Sequence, residues 1–80
     1  MSGALLDRVI AFLQDHAETE LEGVSENSQL VADLGFNSID LMNIVNDAED
    51  EFEIIIDDDD MLKIVTVGDV VSLIAKKTGR

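Results

Sequence analysis

Three segments of this chain carry apolar side chains at three- and four-residue intervals, and that spacing sets the fold class. Between residues 4 and 17, Leu6, Val9, Ile10, Leu13 and Ala17 form one stripe, widened by Leu5 and Phe12. A second helix begins at Asn37, whose side chain can accept a hydrogen bond from an otherwise unpaired amide, with Asp40 three residues on as its capping-box partner. Along it Leu41, Ile44, Val45, Ala48 and Phe52 share a face, while Asn43, Asn46, Asp47, Glu49, Asp50 and Glu51 occupy the other. A last helix starts behind Thr66, with Asp69 three residues later and an inner face of Val67, Val70, Val71 and Ile74. Lys76 and Lys77 suit its negative end, and Gly79 ends it.

The run Ile54–Ile56 has the composition of a short strand, but nothing else in the chain offers it a pairing partner, and a lone strand is unstable in water. It reads instead as an apolar loop leading into a short helix from about Asp57 or Asp58 to Ile64, with carboxylates at its positive end. The polar connection from Glu18 to Asn37, anchored by Val24, Leu30 and Leu34, is long enough to be functional or to hide a helical turn. The expectation is an all-α four-helix bundle with three main helices and one short third helix, a single domain over residues 1–80.

Charge narrows the partners. Eighteen acidic and five basic residues give a net charge of −13, with no Lys or Arg between Arg8 and Lys63. Binding nucleic acid needs cations that neutralise phosphates, so nucleic acid is excluded as a partner, and an anionic membrane surface is disfavoured for the same reason. Proteins with basic patches are the expected partners, steered by long-range attraction. No segment approaches the roughly 20 apolar residues that span a bilayer, and the N-terminus lacks the basic start and apolar run of a secretory signal. A cytoplasmic protein without membrane insertion, and a monomer, is the expectation. Without cysteine there is no disulfide framework and no thiolate metal site.

Ser38 stands in "ADLGFNSID", where a loop gives way to the second helix. Catalysis by this serine would need a nearby base, and the only histidine, His16, lies at the far end of another helix, so no catalytic residue is assigned. His16 itself reads as a helix-end residue facing the dipole. The acidic run Asp57–Asp60 fails as a calcium loop: counted from Asp57, the sixth and twelfth positions are Leu62 and Gly68, where glycine and glutamate are required. No metal site is assigned, although divalent ions could still relieve the repulsion weakly. What remains for the serine is a role as a handle for modification.

"DLGFNSID" followed by an acidic amphipathic helix resembles the acyl carrier protein family, whose attachment motif runs D-x-L-G-x-D-S-L. The order of long helix, long loop, serine-headed acidic helix, short acidic helix, "KIVTV" and closing helix matches that family over essentially the whole chain, with no gap from Asp33 onward. The resemblance implies that Ser38 carries 4′-phosphopantetheine, added by a phosphopantetheinyl transferase. It implies that the arm holds acyl chains as thioesters, and that basic-surfaced acyl-processing enzymes dock on Ile39, Asp40, Asn43, Asp47, Glu49 and Asp50. It also implies an acyl pocket lined by Met42, Val45, Met61 and Leu62. Independently of the family, a helix N-terminus with unpaired amides and a positive dipole end suits a phosphodiester, Gly35 allows a turn before it, and Phe36 is placed to pack beneath.

Four features depart from the family pattern. Asn37 replaces the aspartate before the serine, and Ile39 replaces the leucine after it. Asn43 and Asn46 dilute the anionic face, and Ile54 and Ile55 add apolar surface to a loop that is usually more polar. They lean toward a specialised carrier. The alternative is an unmodified member of the fold acting as a structural or regulatory interaction subunit.

Overall fold

The computed structural model describes residues 2–18 and 20–79. Four helices follow in order: α1 (Ser2–His16), α2 (Ser38–Phe52), α3 (Asp58–Leu62) and α4 (Val67–Thr78). The expected all-α bundle with a short third helix is what forms. α1 begins two residues before the apolar stripe predicts and ends one before, the usual scatter where a helix frays.

Each of the last three helices opens with a reciprocal capping box. Asn37 and Asp40, Asp57 and Asp60, and Thr66 and Asp69 each exchange side-chain and backbone bonds across the first turn. Two of these starts, at Asn37 and Thr66, are legible in the sequence because the whole device lies within four residues. α4 ends on Gly79 in the left-handed region, as expected (φ 76°). α2 ends on Glu53 in the same region (φ 55°), where a side chain costs about 1–2 kcal/mol that glycine would avoid.

The core joins Val9 and Leu13 of α1, Ile44, Ala48 and Phe52 of α2, and Val67, Val70, Val71 and Ile74 of α4, with Leu30, Phe36 and Ile54 from the connections. Each of these side chains larger than alanine, fully buried, is worth roughly 1.5–3 kcal/mol. The Ile54–Ile56 segment is a loop, as expected, but Ile54 is a core residue rather than added surface; only Ile55 projects into water, 78% exposed. Alternation along an extended segment accounts for the split. α1 and α2 meet along an aromatic seam: Phe12 packs edge-on against Phe52 at 5.8 Å and His16 at 4.9 Å, and the Arg8 guanidinium lies 4.7 Å from the Phe52 ring centre.

The long connection is held at two places. Residues 30–34 form a turn, closed by the Asp33 and Gly35 amides donating to the Gln29 and Val31 carbonyls at 2.9 and 3.2 Å. Residues 26–30 also run against the start of α4. The Leu30 amide donates to Val65 O at 3.0 Å, Val67 to Ser28 O at 2.9 Å and Gly68 to Glu26 O at 2.8 Å. Gln29 and Thr66 form an isolated antiparallel bridge there, and no strand forms among the described residues.

Candidate functional site

Ser38 is the first residue of α2 and is exposed. The chain reaches it through Gly35 in the left-handed region (φ 78°) and Phe36, which is 4% exposed and donates its amide to Leu30 O at 3.0 Å. The glycine lets the backbone reverse while the phenylalanine pins the turn to the core beneath, as the residue types predict. Asn37 then caps the helix: its Oδ1 accepts from the Asp40 amide at 2.8 Å, and Asp40 Oδ2 accepts from the Asn37 amide at 3.1 Å.

Because Asn37 and Asp40 do the capping, the Ser38 hydroxyl is left without a hydrogen-bond partner among the described residues. The amides of Ser38 and Ile39 are among the first-turn donors that no helix satisfies internally. An exposed hydroxyl beside unsatisfied N–H groups at the positive end of a helix of 15 residues fits a phosphodiester. His16 is no base for it: its Nε2 lies 3.1 Å from Asp47 Oδ2, so it bridges α1 to α2, a pairing the sequence reading of a lone helix-end residue misses.

The residues expected on the partner-facing surface separate into two groups. Ile39, Asn43, Asp47 and Asp50 are exposed, with Ile39 at 70%. Asp40 and Glu49 are half-buried, and their carboxylates face the chain's own backbone. Asp40 is part of the cap, and Glu49 Oε2 accepts from the Ile56 amide at 2.8 Å. Each therefore has a structural role in the fold, because a carboxylate near an otherwise unpaired amide is held by it.

An apolar cavity of about 50 Å³ lies between α2, α3 and α4. On the same measure a single water needs about 10–15 Å³, so it holds only a few small groups as it stands. Val45 and Met61 line it, together with Leu41, Ile44, Ile64 and Leu73. Met42 and Leu62 do not: they are 58% and 82% exposed and point to solvent, which corrects their place in the expected pocket. In each case the neighbouring residue, Leu41 or Met61, takes the inner position, and one step along a helix turns a side chain by about 100°.

Two carboxyls near the cavity titrate below their ordinary range. Asp60 is lowered chiefly by the Lys77 ammonium at 2.7 Å, helped by the Asp57 amide, and Lys77 is raised in turn. Asp69 is lowered by the Thr66 and Val65 amides that it accepts from, each at 3.0 Å. Among the described residues, no group of three or more His, Cys, Asp or Glu is arranged to hold a metal ion.

A family model described as a phosphopantetheine attachment site matches residues 7–74. The chain belongs to the acyl carrier protein family. An acyl carrier protein of Thermotoga maritima is 40% identical over 75 residues, covering 94% of this chain and 93% of that one. One from Picosynechococcus is 37% identical over 79 residues, covering 99% and 98%. The crystal structure of an acyl carrier protein from Thermotoga maritima superposes with a TM-score of 0.82 at 31% identity, over 98% of this chain and 91% of that one. Acyl carrier proteins carry phosphopantetheine and act as carriers, not as catalysts. No helix among the described residues is long and apolar enough to cross a membrane.

Proposed function

We propose that Ser38 is the attachment point of 4′-phosphopantetheine and that the protein presents acyl chains to biosynthetic enzymes. The observation that carries this is the Ser38 hydroxyl itself: exposed, unpartnered, and set at the tip of α2 by a capping box that does not use it. The bound arm supplies a terminal thiol that holds an acyl group as a thioester, a function a chain without cysteine cannot perform with its own side chains. A phosphopantetheinyl transferase installs the arm, and the pathway served is fatty-acid, polyketide or a related acyl chemistry.

Partner enzymes with basic surfaces dock on the exposed side of α2 around Ile39, Asn43, Asp47 and Asp50. Net charge of −13 raises encounter rates without demanding high affinity, which suits a carrier that must leave one enzyme for the next. On the same reading the protein works as a cytoplasmic monomer.

Intact mass after incubation with a broad-specificity phosphopantetheinyl transferase and coenzyme A tests the assignment. One adduct is expected on the natural chain and none on Ser38→Ala, with the melting curve of that variant unchanged. An unmodified natural chain beside a fully modified control carrier would replace this reading with that of an unmodified interaction subunit.

A further inference from the structure

The cavity wall on the α3 side is built differently from the others. α3 contributes no buried residue to the core, yet Met61, with Ile56 before the helix and Ile64 after it, closes one side of the cavity. Ile56, Met61 and Ile64 are only partly buried, so apolar packing on this side is weaker than on α2 and α4. Two polar ties reinforce it: Glu49 on α2 receives the Ile56 amide at 2.8 Å, and Lys77 on α4 donates to Asp60 Oδ2 at 2.7 Å. Among the described residues, no other ion pair reaches α3.

The second tie is the better placed to govern movement. Asp60 is the immediate neighbour of Met61, and Lys77 sits one turn beyond Ile74, so the pair lies beside two cavity-lining residues on facing elements. Asp60 is half-buried and Lys77 lies at the surface, so water screens their attraction in part and the pair is a weak, openable tie. Asp57, Asp58, Asp59 and Asp60 are consecutive carboxylates, and the Lys77 ammonium also attracts Asp57, so its loss would leave their mutual repulsion uncompensated.

A cavity of about 50 Å³ must enlarge to take an acyl chain, and the wall with the least burial is the one that yields. We propose that the Asp60–Lys77 ion pair is the latch of this cavity: while it is closed α3 stays against α4, and its opening sets how fast an acyl chain passes in and out. Lys77 acts through Asp60 as a positioning residue. The role in acyl passage rests on the carrier reading above, whereas the latch itself does not.

Hydrogen exchange on the unmodified chain tests the latch directly, comparing the natural protein with Lys77→Ala, Lys77→Arg and Asp60→Asn, the last of which keeps a capping acceptor but removes the charge. Amide exchange within residues 56–64 is expected to rise about threefold in the alanine and asparagine variants, and to return to the natural rate with arginine. Exchange in α1 stays unchanged. An equal rise throughout the chain, or none in α3, overturns the proposal.

On protein shown by mass to carry the arm, cleavage of an octanoyl thioester by hydroxylamine should quicken by a similar factor in Lys77→Ala, while an acetyl thioester, too short to reach the cavity, is unaffected. Equal responses of the two would remove the role in acyl passage. Absence of any adduct would count against Ser38 attachment, leaving the exchange result to decide the latch.

Discussion

The Gly68 amide donates to the Glu26 carbonyl oxygen at 2.8 Å, and a Cβ on Gly68 would lie only 3.0 Å from that same oxygen and 3.2 Å from the Glu26 Cβ. The start of α4 and the long connection therefore meet so closely that a side chain at position 68 fits only if Glu26 gives way by a few tenths of an ångström. Alanine is favoured over glycine in a helix by about 1 kcal/mol, but here the contact is with backbone that three hydrogen bonds hold in place. Gly68→Ala is expected to destabilise the protein by about 1 kcal/mol net, lowering the melting temperature by roughly 4–8 °C. A melting temperature equal to the natural one would show that the loop yields freely.

The cap of α2 separates two effects of position 37. Asn37→Ala removes the acceptor for the Asp40 amide and should cost about 1 kcal/mol, read in a thermal melt. Asn37→Asp keeps the acceptor and adds a charge at the positive helix end, so its stability should stay within a few tenths of a kcal/mol of the natural chain. If the missing charge matters to recognition, Asn37→Asp will be modified faster by the transferase at low salt, and the advantage will shrink as salt is raised.

The pH dependence has a sign at each end. Asp69, with its carboxyl held below the ordinary 3.8 by backbone amides, contributes stability that is present above that value and is withdrawn as pH falls through its lower folded value. Asp60 behaves likewise. The gap in melting temperature between the natural protein and Asp69→Asn should therefore be constant near neutral pH and narrow below about pH 4. Lys77, raised above 10.5, contributes stability that is intact below that value and lost as pH climbs through its folded one. Lys77→Arg should keep the alkaline end, since a guanidinium stays charged there. A gap that did not change with pH would contradict the assignment.

Adjacent residues on α3 give a paired test of the cavity. Met61 lines it and Leu62 faces water. On the loaded protein, Met61→Trp should shorten the longest acyl chain protected from hydroxylamine, whereas Leu62→Trp should leave that limit unchanged. The opposite order would place the chain elsewhere.

The parts of this fold that the sequence makes legible are those decided within one helical turn or one apolar stripe. Asn37 with Asp40, Thr66 with Asp69, and Gly79 are such cases. Lys77–Asp60, His16–Asp47 and Glu49 with the Ile56 amide are not, because each joins residues distant in sequence or on different elements and leaves no spacing to read. The misplacement of Met42 had a signal: it falls about 100° from Leu41 and outside the stripe of Ile44, Ala48 and Phe52. Leu62 had none, since a helix of five residues is too short for periodicity to distinguish its faces. At the site, Gly35, Phe36 and the cap were all readable, but the freedom of the Ser38 hydroxyl follows only from seeing what Asn37 and Asp40 already bind.

Three helices that each begin with a self-contained lock of two side chains have their starting points dictated locally. Those pairs fix where each helix begins independently of how the apolar interior is packed, so Ser38 keeps its seat at the rod's tip. In α2 and α4 volume and address are thereby governed by separate residues, while in α3 they meet in Asp60, which both caps the helix and pairs with Lys77.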